Sequence, residues 1–231
     1  MFQIQIIATG SKGNAYAISD GTERILIDPG IGIKEIQKAL NFGVSGLKFC
    51  LLSHEHRDHS KSIKDILKYG ATCYMSHGTG AALNLDPGAI KILKSGTAVK
   101  DGAWSILPFN VHHDAAEPLG FLIESPSGKK IVFATDTAYL SFVFNGVTNW
   151  MIECNYSEDR LKTNEALPND VKNRIRQSHF EFSRVKDFFR AMDLSKTEAI
   201  YLIHLSDDNS DANRYVAEIE ALTGKPVYLN D

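Results

Sequence analysis

Cysteine is scarce, cationic residues do not outnumber anionic ones, and no long apolar run interrupts the chain. The three cysteines, Cys50, Cys73 and Cys154, stand far apart with no Cys-x-x-Cys pair, a usage that suits buried thiols in a reducing compartment. Lys+Arg number 25 against 28 Asp+Glu, a net charge of -3. That excludes a protein that grips nucleic acid by bulk charge alone, while leaving a local basic patch open. No apolar stretch approaches the roughly 18 residues that a membrane-spanning helix needs. The opening Met1-Phe2-Gln3-Ile4-Gln5-Ile6-Ile7 alternates like a strand and lacks the basic start of a signal peptide. The expectation is therefore a cytoplasmic protein without membrane contact. No Pro/Gly/Ser-rich linker, low-complexity tract or repeat divides the 231 residues, so 1–231 reads as one domain, and a 43% hydrophobic share provides a core.

What is present is a run of strands followed by a mixture. Strands are predicted over Phe2–Ala8, Ala15–Ser19, Arg24–Asp28 and Phe49–Ser53, with a helix over Ile33–Phe42. Ile63, Ile66 and Leu67 share one face of a helix over Ser60–Tyr69. Shorter strands are expected near Thr72–Met75, Ala89–Leu93, Trp104–Val111, Leu119–Glu124 and Lys130–Thr135, the last two joined by a Pro126-Ser127-Gly128 turn. Beyond them come strands Trp150–Cys154, Ala199–Ile203 and Val227–Leu229 and helices Arg184–Met192 and Asp211–Leu222. This order suggests an α/β protein with two sheets between helix layers rather than a doubly wound parallel sheet.

The strongest chemical feature is Ser53-His54-Glu55-His56-Arg57-Asp58-His59, directly after the apolar Phe49-Cys50-Leu51-Leu52. A tight loop at a strand end can turn His54 and His56 toward one point and Asp58 with His59 toward a neighbouring one. Imidazole and carboxylate are ligands that zinc, manganese and iron accept. Further ligand types follow one positional rule, each standing just after a buried strand: His112-His113-Asp114 after Trp104–Val111, Asp136 after Ile131–Thr135, His204 after Ala199–Ile203. Ligand sites in layered α/β folds gather at such strand ends. Together these residues supply what two adjacent divalent ions need.

His54-x-His56-x-Asp58-His59, with a distant His, an Asp and a final His, resembles the motif of the metallo-β-lactamase-fold hydrolases. Within them the chain is similar to the small YycJ-type (WalJ-type) bacterial members, regarded as DNA exonucleases. The resemblance is carried by Thr9-Gly10-Ser11-Lys12-Gly13-Asn14, Leu26-Ile27-Asp28-Pro29-Gly30, His113-Asp114-Ala115-Ala116-Glu117-Pro118-Leu119-Gly120, Thr135-Asp136-Thr137 and His204-Leu205-Ser206. It implies an αββα sandwich. It also implies His54, His56 and His113 on one metal, Asp58, His59 and His204 on a second, Asp136 bridging both, and Asp28 supporting the site without ligating. His113 is chosen over His112 because it precedes Asp-Ala-Ala-Glu-Pro.

The chain departs from that pattern twice. His179-Phe180-Glu181-Phe182-Ser183 stands where members often carry His-Gly-His-Leu-Ser, and Tyr156 stands where relatives can have His. His179 or Glu181 is then the expected proton donor to a leaving oxygen, with Glu181 otherwise orienting His179, and Asp58 can orient the nucleophile as well as ligate. Lys172, Arg174 and Arg176 lead into this segment and are the candidate phosphate contacts, Arg174 and Arg176 foremost. Lys61, Lys64 and Lys68 form a stripe that reads as a solvated face. The Gly30-Ile31-Gly32 turn lacks the third glycine of a dinucleotide-binding fingerprint.

Two metals roughly 3.5–4 Å apart can share a bridging hydroxide and stabilise an in-line displacement. The expected function is a binuclear phosphodiesterase, a DNA exonuclease as the resemblance implies. The expected cofactor is a pair of divalent ions, Zn2+ by affinity order with Mn2+ or Fe2+ as alternatives. A thioesterase, lactonase or amidase using the same centre is the competing enzyme class, and a metal-binding protein without turnover is the competing non-enzyme.

Overall fold

The computed structural model describes residues 1–229. Its first sheet runs β1 (Gln3–Ala8), β2 (Ala15–Ser19), β3 (Arg24–Ile27), β4 (Phe49–Leu51), β5 (Cys73–Ser76) and β6 (Lys91–Leu93) in spatial as well as chain order. The second sheet contains β7 (Val99–Asp101), β8 (Trp104–Asn110), β9 (Leu119–Glu124), β10 (Lys130–Ala134), β11 (Asn149–Glu153), β12 (Ala199–Ile203) and β13 (Val227–Tyr228), again laid side by side in sequence order. Each sheet is mixed. β1–β3 pair antiparallel and β3–β6 parallel. In the second sheet β7–β10 are antiparallel and β10–β13 parallel.

Alternation along the strands builds three apolar layers. Tyr16, Ile18, Ile25, Ile27, Phe49 and Leu51 of the first sheet meet Trp104, Ile106, Phe121, Ile123, Ile131 and Phe133 of the second in the central layer. The intervening residues point the other way. Ala17, Leu26, Cys50, Leu52, Cys73 and Met75 pack under Ile36 and Leu40 and under Ile63 and Ile66, which belong to α1 (Ile33–Ala39) and its C-cap and to α3 (Ile63–Lys68). Val132, Ala134, Trp150, Ile152, Ile200 and Leu202 pack against Phe182, Val185, Phe188 and Phe189 of α7 (Phe182–Arg190) and Tyr215 and Ile219 of α8 (Ala212–Thr223). Period-2 strands buried on both faces thus give the αββα order.

Several boundaries differ from the sequence reading, each for a local reason. The helix expected over Ser60–Tyr69 is two pieces, α2 (Arg57–Ser60) and α3, because the first turn starts inside the histidine loop itself. The helix expected to reach Phe42 stops at Ala39, with Asn41 and Phe42 at φ 51° and 61°. Near Ala89–Leu93, Pro87–Ala89 forms a 3-10 turn and only Lys91–Leu93 is strand. Three helices carried no apolar period: α4 (His77–Ala82), α5 (Glu158–Thr163) and α6 (Asn169–Ser178), the last burying only Lys172 and Ser178. Among the described residues, no helix is long and apolar enough to cross a membrane.

Candidate metal centre

The site lies where both sheets end. Asp28 follows β3, Asp136 stands two residues after β10 and His204 follows β12, and all three take positive φ (54°, 47° and 53°). Left-handed backbone at a non-glycine residue is uncommon and concentrates at functional sites. Here it turns three polar side chains inward just where their strands stop. The histidine loop is drawn against them by a close backbone approach. Asn14 N donates to the Asp58 carbonyl (2.7 Å) and Gly30 N to the Asn14 carbonyl (2.7 Å). A Cβ at Gly30 would lie 1.7 Å from the Asp58 carbonyl oxygen, so this position requires glycine for packing.

All seven residues expected as ligands converge. One group joins His54, His56, His113 and Asp136; a second joins Asp58, His59, Asp136 and His204; the ligand-type atoms within each group lie within 4.8 Å of one another. Asp136 is common to both. Its Oδ2 is 3.1 Å from His59 Nε2, 3.3 Å from His54 Nε2 and 3.4 Å from His113 Nε2, while its Oδ1 is 3.1 Å from His204 Nδ1. His112 points elsewhere, its ring stacked on Tyr139.

The outer nitrogens of the imidazoles are held by the fold. His59 Nδ1 donates to Asp28 Oδ2 (2.8 Å), whose carboxylate also accepts from Ser53 N and Oγ (2.8 Å each). His54 Nδ1 meets Ser53 Oγ at 3.0 Å and His113 Nδ1 donates to the Ser178 carbonyl at 3.1 Å. Such partners orient a metal-binding imidazole and leave its other nitrogen free for the ion. The amide of Asn14, gripped by Gly10 and the Tyr16 hydroxyl, reaches His59 Nε2 at 3.1 Å. Thr9 Oγ1 accepts from His204 N at 2.7 Å, which explains the chemistry of the Thr9–Asn14 segment.

The residues fit a divalent cation on two counts. His54 Nε2 and His204 Nε2 are buried and have no hydrogen-bond partner among the described residues, a costly condition that a metal would relieve. The charges are also crowded. Burial disfavours the Asp136 carboxylate, but His204 and His59 outweigh it and hold Asp136 well below the usual carboxylate range. Burial likewise opposes protonation of His204, yet Asp136, Asp58 and Glu153 push it up to about 10. His54 goes the other way, down to about 4, through burial and the neighbouring His59. Without a cation the cluster balances its carboxylates with histidine protons, which a bound metal displaces.

Glu153 is the site residue that the sequence reading missed. It closes β11 and is fully buried. Its Oε1 is 2.7 Å from His179 Nδ1 and 3.1 Å from His204 Nδ1, and its Oε2 accepts from Thr137 N (2.8 Å) and Phe180 N (3.1 Å). The available signal was a carboxylate at the end of the apolar run Trp150-Met151-Ile152, where a buried charge demands partners. Asp136, Glu153, His179 and His204 form a third compact group of ligand-type atoms.

The remaining candidates are not brought to the cluster in the same way. Glu181 is the N-cap of α7: its carboxylate accepts from Ser183 N (2.8 Å), Arg184 N (3.2 Å) and Ser183 Oγ. The carboxylate that orients His179 is Glu153, in place of the expected Glu181. Lys172 is buried, its Nζ donating to the Lys162 carbonyl at 3.2 Å, so it offers no phosphate contact. The guanidinium of Arg176 is taken by Glu158, with contacts of 2.7–3.2 Å. Arg174 is exposed, pairs with Asp114 at 2.8 Å and lines a cavity with His112 and His113.

With this geometry in place, the comparisons define the class. Residues 23–205 match the model of the β-lactamase superfamily domain. The chain belongs to that superfamily, and it is a metal-dependent hydrolase by fold and donor set. Within it, the chain is similar to the exodeoxyribonuclease YycJ of Bacillus anthracis, 27% identical over 220 residues that cover 89% of this chain and 83% of the relative. It is similar likewise to the exodeoxyribonuclease WalJ of Streptococcus pneumoniae, 29% identical over 227 residues covering 90% and 83%. Among solved structures, the metallo-β-lactamase fold protein YhfI of Bacillus subtilis superposes with a TM-score of 0.75 over 99% of this chain and 96% of that one, at 14% identity.

Proposed function

We propose that this chain is a binuclear phosphodiesterase that degrades DNA from an end. His54, His56, His113 and Asp136 would hold one divalent cation, and Asp58, His59, Asp136 and His204 the other. When bound, the two ions supply Lewis acidity to the phosphoryl oxygens and lower the pKa of water. The observation that carries the reading is Asp136, shared by both ligand groups at the meeting point of the two sheets.

The chain's own groups suit phosphodiester cleavage. His179 is raised in pKa: burial opposes its protonation, and Glu153 with Asp136 outweighs that effect. With its Nδ1 held 2.7 Å from Glu153, it is the group we assign to protonate the leaving oxygen. Glu153 keeps that imidazole aimed. Asp58, ionised well below the usual range despite partial burial because His204 and His59 face it, orients the nucleophile. Arg174, at the cavity rim, is the proposed phosphate contact. The relatives named exodeoxyribonucleases favour DNA as substrate, and Zn2+ is the proposed ion by affinity order, ahead of Mn2+ and Fe2+. Cys50, Cys73 and Cys154 are all free and buried, which fits the proposed cytoplasmic setting.

A panel of bis(p-nitrophenyl) phosphate, thioester and lactone substrates tests this reading. Turnover confined to the phosphodiester supports it. Turnover confined to a carbonyl ester would replace it with the thioesterase or lactonase class, and metal uptake without turnover of any substrate would favour a binding protein.

A further inference from the structure

Beside the metal centre the imidazole of His112 lies flat on the ring of Tyr139, with centroids 3.9 Å apart and planes inclined by 17°. Both residues are exposed, and neither belongs to the ligand groups. Each is tied to one that does: His112 precedes His113, and Tyr139 follows Asp136 by three residues. Backbone reach therefore keeps the Tyr139 Cα within about 11 Å of the Asp136 Cα.

The pair is also pinned. Ala138 N donates to the His112 carbonyl (3.0 Å), and His112 N donates to Thr137 Oγ1 (3.0 Å). Thr137 Oγ1 in turn donates to the Tyr139 carbonyl (2.8 Å), while Thr137 N is anchored on Glu153 (2.8 Å). The stack is thus built on the same backbone that positions Asp136 and His113. Its surroundings divide by chemistry. On one side, Phe142 and Val143 continue an exposed apolar surface. With Tyr139 they are three of the nine large apolar side chains left exposed among the described residues, gathered within five positions. On the other, a cavity of about 420 Å³ has His112, His113, Asp114, Arg174 and Gln177 among its lining side chains. Exposed flat rings beside a cation and a phosphoryl-binding centre match a nucleotide, with its aromatic base and anionic backbone.

We infer that the His112–Tyr139 stack is a base-stacking platform for the nucleobase next to the scissile phosphate, at a single-stranded or frayed DNA end. The inference rests on the nucleic-acid reading of the metal centre. Stacking tolerates every base, because each has a π-face, and an enzyme that digests inward from an end meets all of them. Within a duplex both faces of an interior base are already covered, so the platform selects a terminal or unpaired nucleotide.

The test uses a short oligodeoxynucleotide with hydrolysis-resistant phosphorothioate linkages, fluorescently labelled at mid-chain. One version has ordinary nucleotides at both ends and the other abasic nucleotides at both ends; fluorescence anisotropy with the metal-loaded protein measures affinity. Wild-type protein is expected to bind the base-bearing oligonucleotide about tenfold more tightly than the abasic one, the order of one stacked base. Tyr139→Leu should abolish that preference, and Tyr139→Phe, which keeps the ring, should retain it. Melting curves identify a Leu variant that fails to fold, and the wild-type comparison decides the question without it. Equal wild-type affinity for the two oligonucleotides, or a preference that survives in a folded Tyr139→Leu protein, overturns the platform alone. Failure of the wild type to bind either oligonucleotide overturns the nucleic-acid reading and the platform with it.

Discussion

Glu153 Oε1 stands 2.7 Å from His179 Nδ1 and 3.1 Å from His204 Nδ1, so one buried carboxylate oxygen addresses two imidazoles for which we propose different tasks. Glu153→Gln keeps the volume and an acceptor for Thr137 N and Phe180 N, but removes the charge that aims both rings. Loss of such an outer partner lowers activity or metal affinity by roughly 10–100-fold. Turnover of bis(p-nitrophenyl) phosphate should fall by that factor with the melting curve still cooperative. An unchanged rate would remove Glu153 from the site.

Asp136→Asn should strip the centre more severely. The amide preserves shape but not charge, and Asp136 belongs to both ligand groups. Elemental analysis should find fewer than the two divalent ions per chain proposed for the wild type, with hydrolysis abolished. A variant that keeps both ions and the full rate would refute the bridging role.

His113 and His112 are adjacent in sequence and divided in space. His113 Nε2 lies 3.0 Å from His56 Nδ1, whereas the His112 ring rests on Tyr139. His113→Ala is expected to lose metal, and His112→Ala to keep its metal content. The opposite pattern in elemental analysis would show that the ligand has been placed one residue out.

Glu181 is expected to matter for stability instead of metal binding. Its carboxylate caps α7 through Ser183 N and Arg184 N, and losing such a cap costs about 1 kcal/mol. Glu181→Ala should lower the denaturant midpoint accordingly while metal content holds. Loss of metal from a folded variant would contradict the capping assignment.

Much of this arrangement was legible in the sequence because it follows one pattern: a polar ligand type within a few residues after an apolar strand. His204 follows β12 at once, Asp136 stands two residues past β10 and His113 three past β8, while Leu119–Glu124 and Ala199–Ile203 match their strands residue for residue. Glu153 escaped because it is the last residue of its strand rather than the first after it. The two departures from the family pattern also looked independent in sequence. In the structure Tyr156 and Glu181 face each other across an isolated β-bridge, so they are one local feature at the start of α7. Arg176 and Lys172 read as free cations because their partners are remote or cryptic in sequence: Glu158 is 18 residues away and the Lys162 carbonyl is a backbone atom. Helix α6 has no apolar stripe to announce it.

The activity proposed for this metal centre is cleavage of DNA from an end. The most direct measurement incubates the metal-loaded wild type and Asp136→Asn with single- and double-stranded DNA labelled at one end or the other. Stepwise shortening, or early release of the labelled nucleotide, is expected of the wild type, and intact DNA of the variant. DNA that stays intact with a wild type carrying its full metal complement, or equal degradation by both proteins, would contradict it.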